Sequence, residues 1–275
     1  MSLYVAGLAV YPLKSAAGIR VEEARLTPWG LEWDRRWMLV DDQGCFVTQR
    51  QMARMALLRV SVENGILQVA APDMPLLSAI PVDPTALVVT VWSDRVQACT
   101  VSAAADEWFT RFLGKSVRLV FFPQSSHRTV DPAWAGTGHC TSFSDGFPLL
   151  VTSTSGMDAL SELWGKSVDW LRFRPNIVIG GSDQAFAEDD WSKLQINGTN
   201  LALVKPCSRC VIPSIDPATS NKDKGFLEML ASVRRQSDGK VYLGQNAIIV
   251  SELVEKNTWI HSGDAVSVLA SRCKG

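Results

Sequence analysis

The chain has 275 residues, 47% of them hydrophobic and 20% charged, with a formal net charge of −1 at pH 7. That length suits one large or two medium domains whose core needs no covalent staples, and the near-neutral balance argues against a nucleic-acid or anionic-membrane surface. No apolar run is long enough to span a bilayer and the first residues lack a signal-peptide layout, so a cytoplasmic protein with no nucleic-acid or membrane partner is expected.

The first part of the chain reads as short strands. Leu3 to Leu13, Val21 to Leu26 and Trp37 to Val40 are aliphatic or β-branched with partial alternation. Asp41-Asp42-Gln43-Gly44 signals a turn, with Cys45 to Arg50 as the returning arm, and Glu63-Asn64-Gly65 signals a hairpin between Leu57–Val62 and Ile66–Ala70. Pro72 to Pro84 reads as loop, and Ala86 to Val101 as a strand pair turning near Ser93-Asp94-Arg95. Ala103 to Leu113 has helical spacing with Trp108, Phe109 and Phe112 on one side. A strand follows at Val117 to Phe122, and the polar stretch Gln124 to Arg128 reads as a connector between domains.

The second part is mixed. Ser155 to Trp164 predicts a helix capped by Thr154 or Ser155. Phe173 to Ile179 predicts a buried strand, and Leu194–Ile196 with Leu201–Val204 a hairpin across residues 197–200. Lys222 to Arg235 predicts a helix, and Val241 to Val250 and Ala265 to Leu269 the last strands. The fold class expected is α+β, mainly β, in two β-rich domains over residues 1–122 and 123–275, with a few helices.

Six cysteines are present. Cys45, Cys99, Cys140 and Cys273 are isolated, so a dense disulfide framework is not expected. Cys207 and Cys210 form a close pair within Lys205-Pro206-Cys207-Ser208-Arg209-Cys210. A zinc site would call for a second such pair, while His127, His139 and His261 are scattered. A thioredoxin-like dithiol would sit at a helix N-terminus, whereas here Val211-Ile212 continues apolar and Pro213 follows. Two buried core cysteines are the plain alternative. Against it stands Arg209, because a guanidinium beside a thiol favours thiolate, the nucleophilic and metal-ligating form.

Other segments carry cations into apolar surroundings. In Tyr11-Pro12-Leu13-Lys14-Ser15-Ala16-Ala17-Gly18, Pro12 ends the strand, Lys14 and Ser15 fall on a turn able to hold an oxyanion, and Gly18 permits an unusual backbone angle. Asp34-Arg35-Arg36-Trp37 places three charges at the mouth of a strand, where a surface ion pair is the alternative. Arg174 and Asn176 flank Pro175 and share a face if that proline keeps the chain extended. Arginine suits planar recognition of phosphate or of a heterocycle edge.

In order along the chain, YPLKS at 11–15, DRRW at 34–37, FVTQRQ at 46–51, DGFPLL at 145–150, FRPNIVI at 173–179, CSRC at 207–210, DP at 216–217, GQN at 244–246 and GDAV at 263–266 resemble the MOSC-domain proteins, in the branch of the mitochondrial amidoxime-reducing component and its bacterial relatives. The resemblance covers nearly the whole chain. It implies an N-terminal β-rich domain, then a MOSC domain built on a distorted β-barrel, with the site in the cleft between them. It also implies molybdenum cofactor, a pterin dithiolene with a terminal phosphate. Cys210 corresponds to the metal ligand and catalytic centre. Lys14, Ser15, Arg35, Arg174, Asn176, Ser208 and Arg209 correspond to residues that seat the pterin and phosphate. The chain departs from the mitochondrial enzymes at Gly146-Phe147, where they carry Thr-Ser, and at Asn246, where they carry Tyr.

The activity implied is reduction of N-hydroxylated compounds such as amidoximes. Some bacterial relatives carry a C-terminal ferredoxin, but this chain has no C-x4-C-x2-C spacing. No iron–sulfur cluster is therefore expected in it, and electrons are expected from a separate ferredoxin, flavoprotein or cytochrome. Two alternatives stay open: a sulfur carrier with a Cys210 persulfide resolved by Cys207, and a non-catalytic cofactor-binding module.

Overall fold

Strand-forming runs broken by turn residues give a mainly β protein, with four α-helices among the described residues. The computed structural model describes residues 2–250 and 257–272; Cys273 lies outside the described residues. An eight-stranded sheet dominates. Its spatial order is Val266–Ser271, Trp191–Ile196, Thr199–Ser208, Tyr242–Ile249, Leu149–Ser153, Ile177–Gly180, Tyr4–Val10 and Ile19–Val21. It curls toward a barrel, since Tyr4 bridges Ala265 and Val266 N donates to Leu3 O at 2.9 Å. Val5, Leu8, Ile177, Ile179, Leu194 and Leu201, all essentially inaccessible, fill its interior. One pairing is parallel, Leu149–Ser153 with Ile177–Gly180, joined by the crossover helix Thr154–Trp164 as parallel neighbours require.

The large sheet draws Tyr4–Val10 and Ile19–Val21 from before the boundary expected at residue 122. The rest of the first half forms smaller sheets. Trp37–Val40, Arg118–Phe121, Asp94–Thr100 and Ala86–Val91 make one of four strands, and Arg59–Glu63, Ile66–Ala70 and Leu77–Ala79 one of three. Asn64 and Gly65, with φ of 50° and 76°, close the expected hairpin. The helix Ala103–Leu113 forms with the expected ends, capped by Ser102 and by Gly114 at φ 66°, and buries Trp108, Phe109 and Phe112.

Several expectations change. The loop over 72–84 contains the short strand Leu77–Ala79. The turn after Ala86–Val91 comes earlier, at Trp92-Ser93, with Trp92 at φ 57°. The connector at 124–128 is fastened: Arg128 is buried and donates to Ser142 O at 3.0 Å and Ser144 O at 2.6 Å. Ser153, one residue earlier than expected, caps the helix Thr154–Trp164. The strand expected from Phe173 begins only at Ile177, because Trp170–Phe173 winds into a 3-10 turn and Arg174 takes a left-handed conformation at φ 57°. The helix expected from Lys222 starts at Phe226, after Gly225 at φ 82°. Gly18 does not have a positive φ. It is needed for close approach, since a Cβ there would lie 2.3 Å from a ring carbon of Tyr11.

A buried carboxyl sits where the crossover helix meets the sheet. Glu188 is 0% exposed and accepts a hydrogen bond from the Ser153 hydroxyl. Burial pushes its pKa from 4.5 up to about 7. An unfolded chain loses this proton above pH 4.5 while the folded one keeps it until about pH 7, so stability falls with rising pH across that window. Glu188→Gln is expected to raise stability by roughly 2–3 kcal/mol at pH 7.5 and to confer no gain near pH 4. Urea midpoints at the two pH values check this; an equal change at both would refute it.

Candidate functional site

A cleft of about 430 Å³ opens where the turns after the first strand meet the large sheet. Cavities of this size accommodate small molecules and cofactors. Lys14, Ser15, Arg35, Arg174, Asn176, Ser208, Arg209 and Cys210 all line it, so one cavity gathers all eight residues singled out from the sequence.

The wall from the first segment is organised around Tyr11, which is 0% exposed. The Arg35 guanidinium lies 4.2 Å from its ring centroid and that of Arg174 4.3 Å, two cation–π contacts on one aromatic group. The Tyr11 hydroxyl donates to Pro175 O at 3.0 Å, and its backbone N–H donates to the buried Asp34 carboxylate at 2.9 Å. Asp34 in turn pairs with Arg35. Burial pushes the phenol well above its usual range, against the pull of Arg174 and Arg35, so Tyr11 is a neutral ring that both cations contact.

Arg174 donates to Ala16 O at 2.6 Å and has no carboxylate partner among the described residues. Burial, with Arg35 beside it, pulls its pKa down to about 10. Asn176, 2% exposed, is a bracket: its Oδ1 accepts from Leu150 N at 3.2 Å and Arg35 Nη1 at 3.3 Å, and its Nδ2 donates to Ala9 O at 3.2 Å. Arg174 and Asn176 therefore meet one cavity without the extended Arg-Pro-Asn segment expected. Ser15, Arg35 and Arg174 all hold positive φ, at 67°, 50° and 57°. Such strain gathers at sites where surrounding contacts fix side-chain direction.

Lys14 is buried and donates to Phe143 O at 2.7 Å and to the Asp145 carboxylate. Burial pulls its pKa down to about 8 even with Asp145 alongside. Desolvation at the cleft mouth pushes the carboxyl of the exposed Asp145 up, but Lys14 and Arg50 outweigh it and hold it well below the usual carboxylate range. The Arg50 guanidinium also lies 4.8 Å from the Trp92 ring centroid. The Ser15 hydroxyl has no hydrogen bond among the described residues.

The opposite wall is the strand Thr199–Ser208 and the bend after it. Its pairing with Tyr242–Ile249 slips between Leu203 and Lys205 and again between Pro206 and Ser208. Pro206 has no N–H to offer the ladder, and such irregularities re-aim side chains. The two thiols come out differently. Both line the cleft, and Cys210 is the exposed one. Cys207 is half-buried, and burial pushes its thiol up in spite of Arg209 and a hydrogen bond with Asn246. Arg209 thus does not make Cys207 a thiolate. Its guanidinium is spent on backbone, donating to Leu243 O at 2.9 Å and Phe173 O at 2.9 Å. Arg172 likewise pins the bend, pairing with Asp216 at 3.0 Å and Asp223 at 2.6 Å.

The sequence reading missed Arg50, Trp92, Asp145 and Lys205, all of which line the cleft. Arg50, Lys205 and Asp145 fall inside the motifs named above; the positive φ at Trp92 has no sequence signal. The cleft presents seven cationic side chains, Lys14, Arg35, Arg50, Arg172, Arg174, Lys205 and Arg209, against one carboxylate, Asp145. With an exposed thiol at its edge, it can hold a multiply anionic ligand and a soft metal together. No helix among the described residues is long and apolar enough to cross a membrane.

Residues 2–116 match the family described as MOSC N-terminal beta barrel domain, and residues 139–267 match the MOSC domain. Mitochondrial amidoxime-reducing component 1 of Mus musculus is 34% identical over 244 residues, covering 84% of this chain and 71% of that protein. The Homo sapiens component 1 is 32% identical over 282 residues, covering 96% of this chain and 82% of its own. Homo sapiens component 2 is 31% identical over 283 residues, covering 95% and 82%.

Proposed function

The chain belongs to the MOSC-domain family, in the branch of the amidoxime-reducing components, and on that premise we propose that it is a molybdenum-cofactor oxidoreductase reducing N-hydroxylated compounds to amines or amidines. The observation that carries the reading is the joining of an exposed thiol, Cys210, to a cluster of cations in a single cavity.

The residues present fit the cofactor. Burial lowers the pKa of both Lys14 and Arg174, so their charges are costly in an empty cleft and gain from an anion placed among them. A phosphate satisfies that demand, and Ser15 offers a hydroxyl beside it. Arg35 and Arg174, both resting against Tyr11, would orient a planar pterin edge and phosphate through their forked N–H groups. Asn176 fixes Arg35, and Ser208 and Arg209 shape the wall next to the ligating sulfur. Cys210 would ligate molybdenum, a soft thiolate joining a metal already held by sulfur. When bound, the cofactor supplies the two-electron chemistry that removes oxygen from an N–O group; the chain supplies binding, orientation and charge.

Reduction of an amidoxime to an amidine consumes two electrons and two protons and releases water. The electrons come, in this reading, from a separate donor protein. A sulfur-carrier role is less favoured, because burial keeps Cys207 a poor thiolate and so a slow resolving group.

Protein made in a cofactor-producing host is expected to contain close to one molybdenum per chain and to convert benzamidoxime to benzamidine with an artificial reductant. A metal-loaded protein giving no amidine would indicate a binding module. Protein free of molybdenum would remove the reading altogether.

A further inference from the structure

Six of the seven cations in the cleft have protein partners. Lys14 and Arg50 share Asp145, Arg35 has Asp34, Arg172 has Asp216 and Asp223, and Arg174 and Arg209 donate to carbonyls. Lys205 differs. Its ammonium has neither carboxylate nor carbonyl partner among the described residues, and lies 5.0 Å from the Trp134 ring centroid and 5.8 Å from that of Phe147. Phe147 and Lys205 line the cleft, and Trp134 remains 47% exposed. Lys205 and Pro206 keep ladder partners in Asn246 and Gln245, and the register slips on either side of them, between Leu203 and Lys205 and between Pro206 and Ser208.

We propose that Lys205, Phe147 and Trp134 form a substrate subsite for a planar, anionic group, so that the N-hydroxylated substrate preferred by this protein is an aromatic or heteroaromatic carboxylate. The inference rests on the reductase reading for the reacting end of the substrate. A cation seated beside two aromatic rings offers charge to a carboxylate and flat apolar surface to the ring that bears it. The cations around Tyr11 and Asp145 are already engaged with protein acceptors, and they belong to the part of the cleft assigned to the cofactor. A phosphate held at Lys205 would leave the two ring faces without a role.

Binding is tested apart from turnover. Fluorine NMR of the full chain, in saturating inorganic phosphate to fill the other cationic sites, compares 4-fluorobenzoate with 4-fluorobenzamide. The carboxylate is expected to bind about tenfold more tightly, with Lys205→Gln erasing the difference and Trp134→Ala weakening both probes. In turnover, the kcat/KM ratio of 4-carboxybenzamidoxime to benzamidoxime is expected to fall about tenfold in Lys205→Gln. Equal affinity for the two probes, or a preference that survives Lys205→Gln, overturns the proposal. So does phosphate abolishing benzoate binding, which would put the anion at the deeper cations. Failure of the reductase reading looks different: neither amidoxime is turned over, while the benzoate preference and its loss in Lys205→Gln remain.

Discussion

Cys210→Ala is expected to lower amidoxime turnover by about a thousandfold, equivalent to roughly 4 kcal/mol of transition-state stabilisation, while leaving the fold intact. The side chain is exposed and lies outside every hydrophobic cluster, so its removal should change stability by only about 0.5 kcal/mol. Of the two cysteines that line this cleft full of cations, Cys210 is the exposed one. Cys207→Ala is the internal control. That thiol is half-buried and pushed up by its surroundings, so its loss should cost packing rather than metal. Molybdenum retained through gel filtration, read beside turnover and melting temperature, separates the two. Turnover in Cys210→Ala within threefold of the parent would remove this cysteine from the chemistry.

The largest stability effect is expected at Tyr11. Tyr11→Ala opens a cavity where a wholly buried ring now packs on Gly18 and against two guanidiniums. Truncating such an aromatic costs about 3–5 kcal/mol. In a chain of this size that lowers the melting temperature by roughly 10 °C. It also takes from Arg35 and Arg174 the ring that both guanidiniums rest against, so the proposed cofactor should be lost with the stability. Tyr11→Phe keeps the ring and gives up only the hydrogen bond to Pro175 O, worth about 1 kcal/mol, and should keep the metal. Gly18→Ala reaches the same ring from the other side, because its Cβ would overlap Tyr11; about 1–3 kcal/mol is expected from such overpacking. A Tyr11→Ala protein that melts like the parent would contradict this account.

What could be read from the sequence was chiefly what is encoded locally. The helix Ala103–Leu113 carries its own cap and apolar face, and Asn64-Gly65 carries its own turn. The eight candidate site residues came from ordered motifs spread across the chain, and the structure brings them to one cavity. The failures were tertiary. Nothing near Arg174 in sequence says that its guanidinium will reach Ala16 O and hold the backbone left-handed, which is why a strand was expected there. Gly18 was credited with a backbone angle when its reason is a ring seven residues earlier. Arg50 and Lys205 lie inside FVTQRQ and the segment Lys205–Cys210, but a cation's direction toward water or a cleft is not written in its neighbours. The place of Tyr4–Val10 in the large sheet depends on a partner more than 160 residues away.

That last pairing dictates when the site can come into being. The strand Tyr4–Val10, made well before its partner, pairs with Ile177–Gly180, and Tyr4 also bridges Ala265. At translation speeds of roughly 5–20 residues per second, the earlier strand waits about ten seconds or longer for its neighbour to leave the ribosome. Lys14, Arg35 and Arg174 cannot converge before then. Under the proposed reading, a nascent chain stalled before residue 177 would have no affinity for the cofactor.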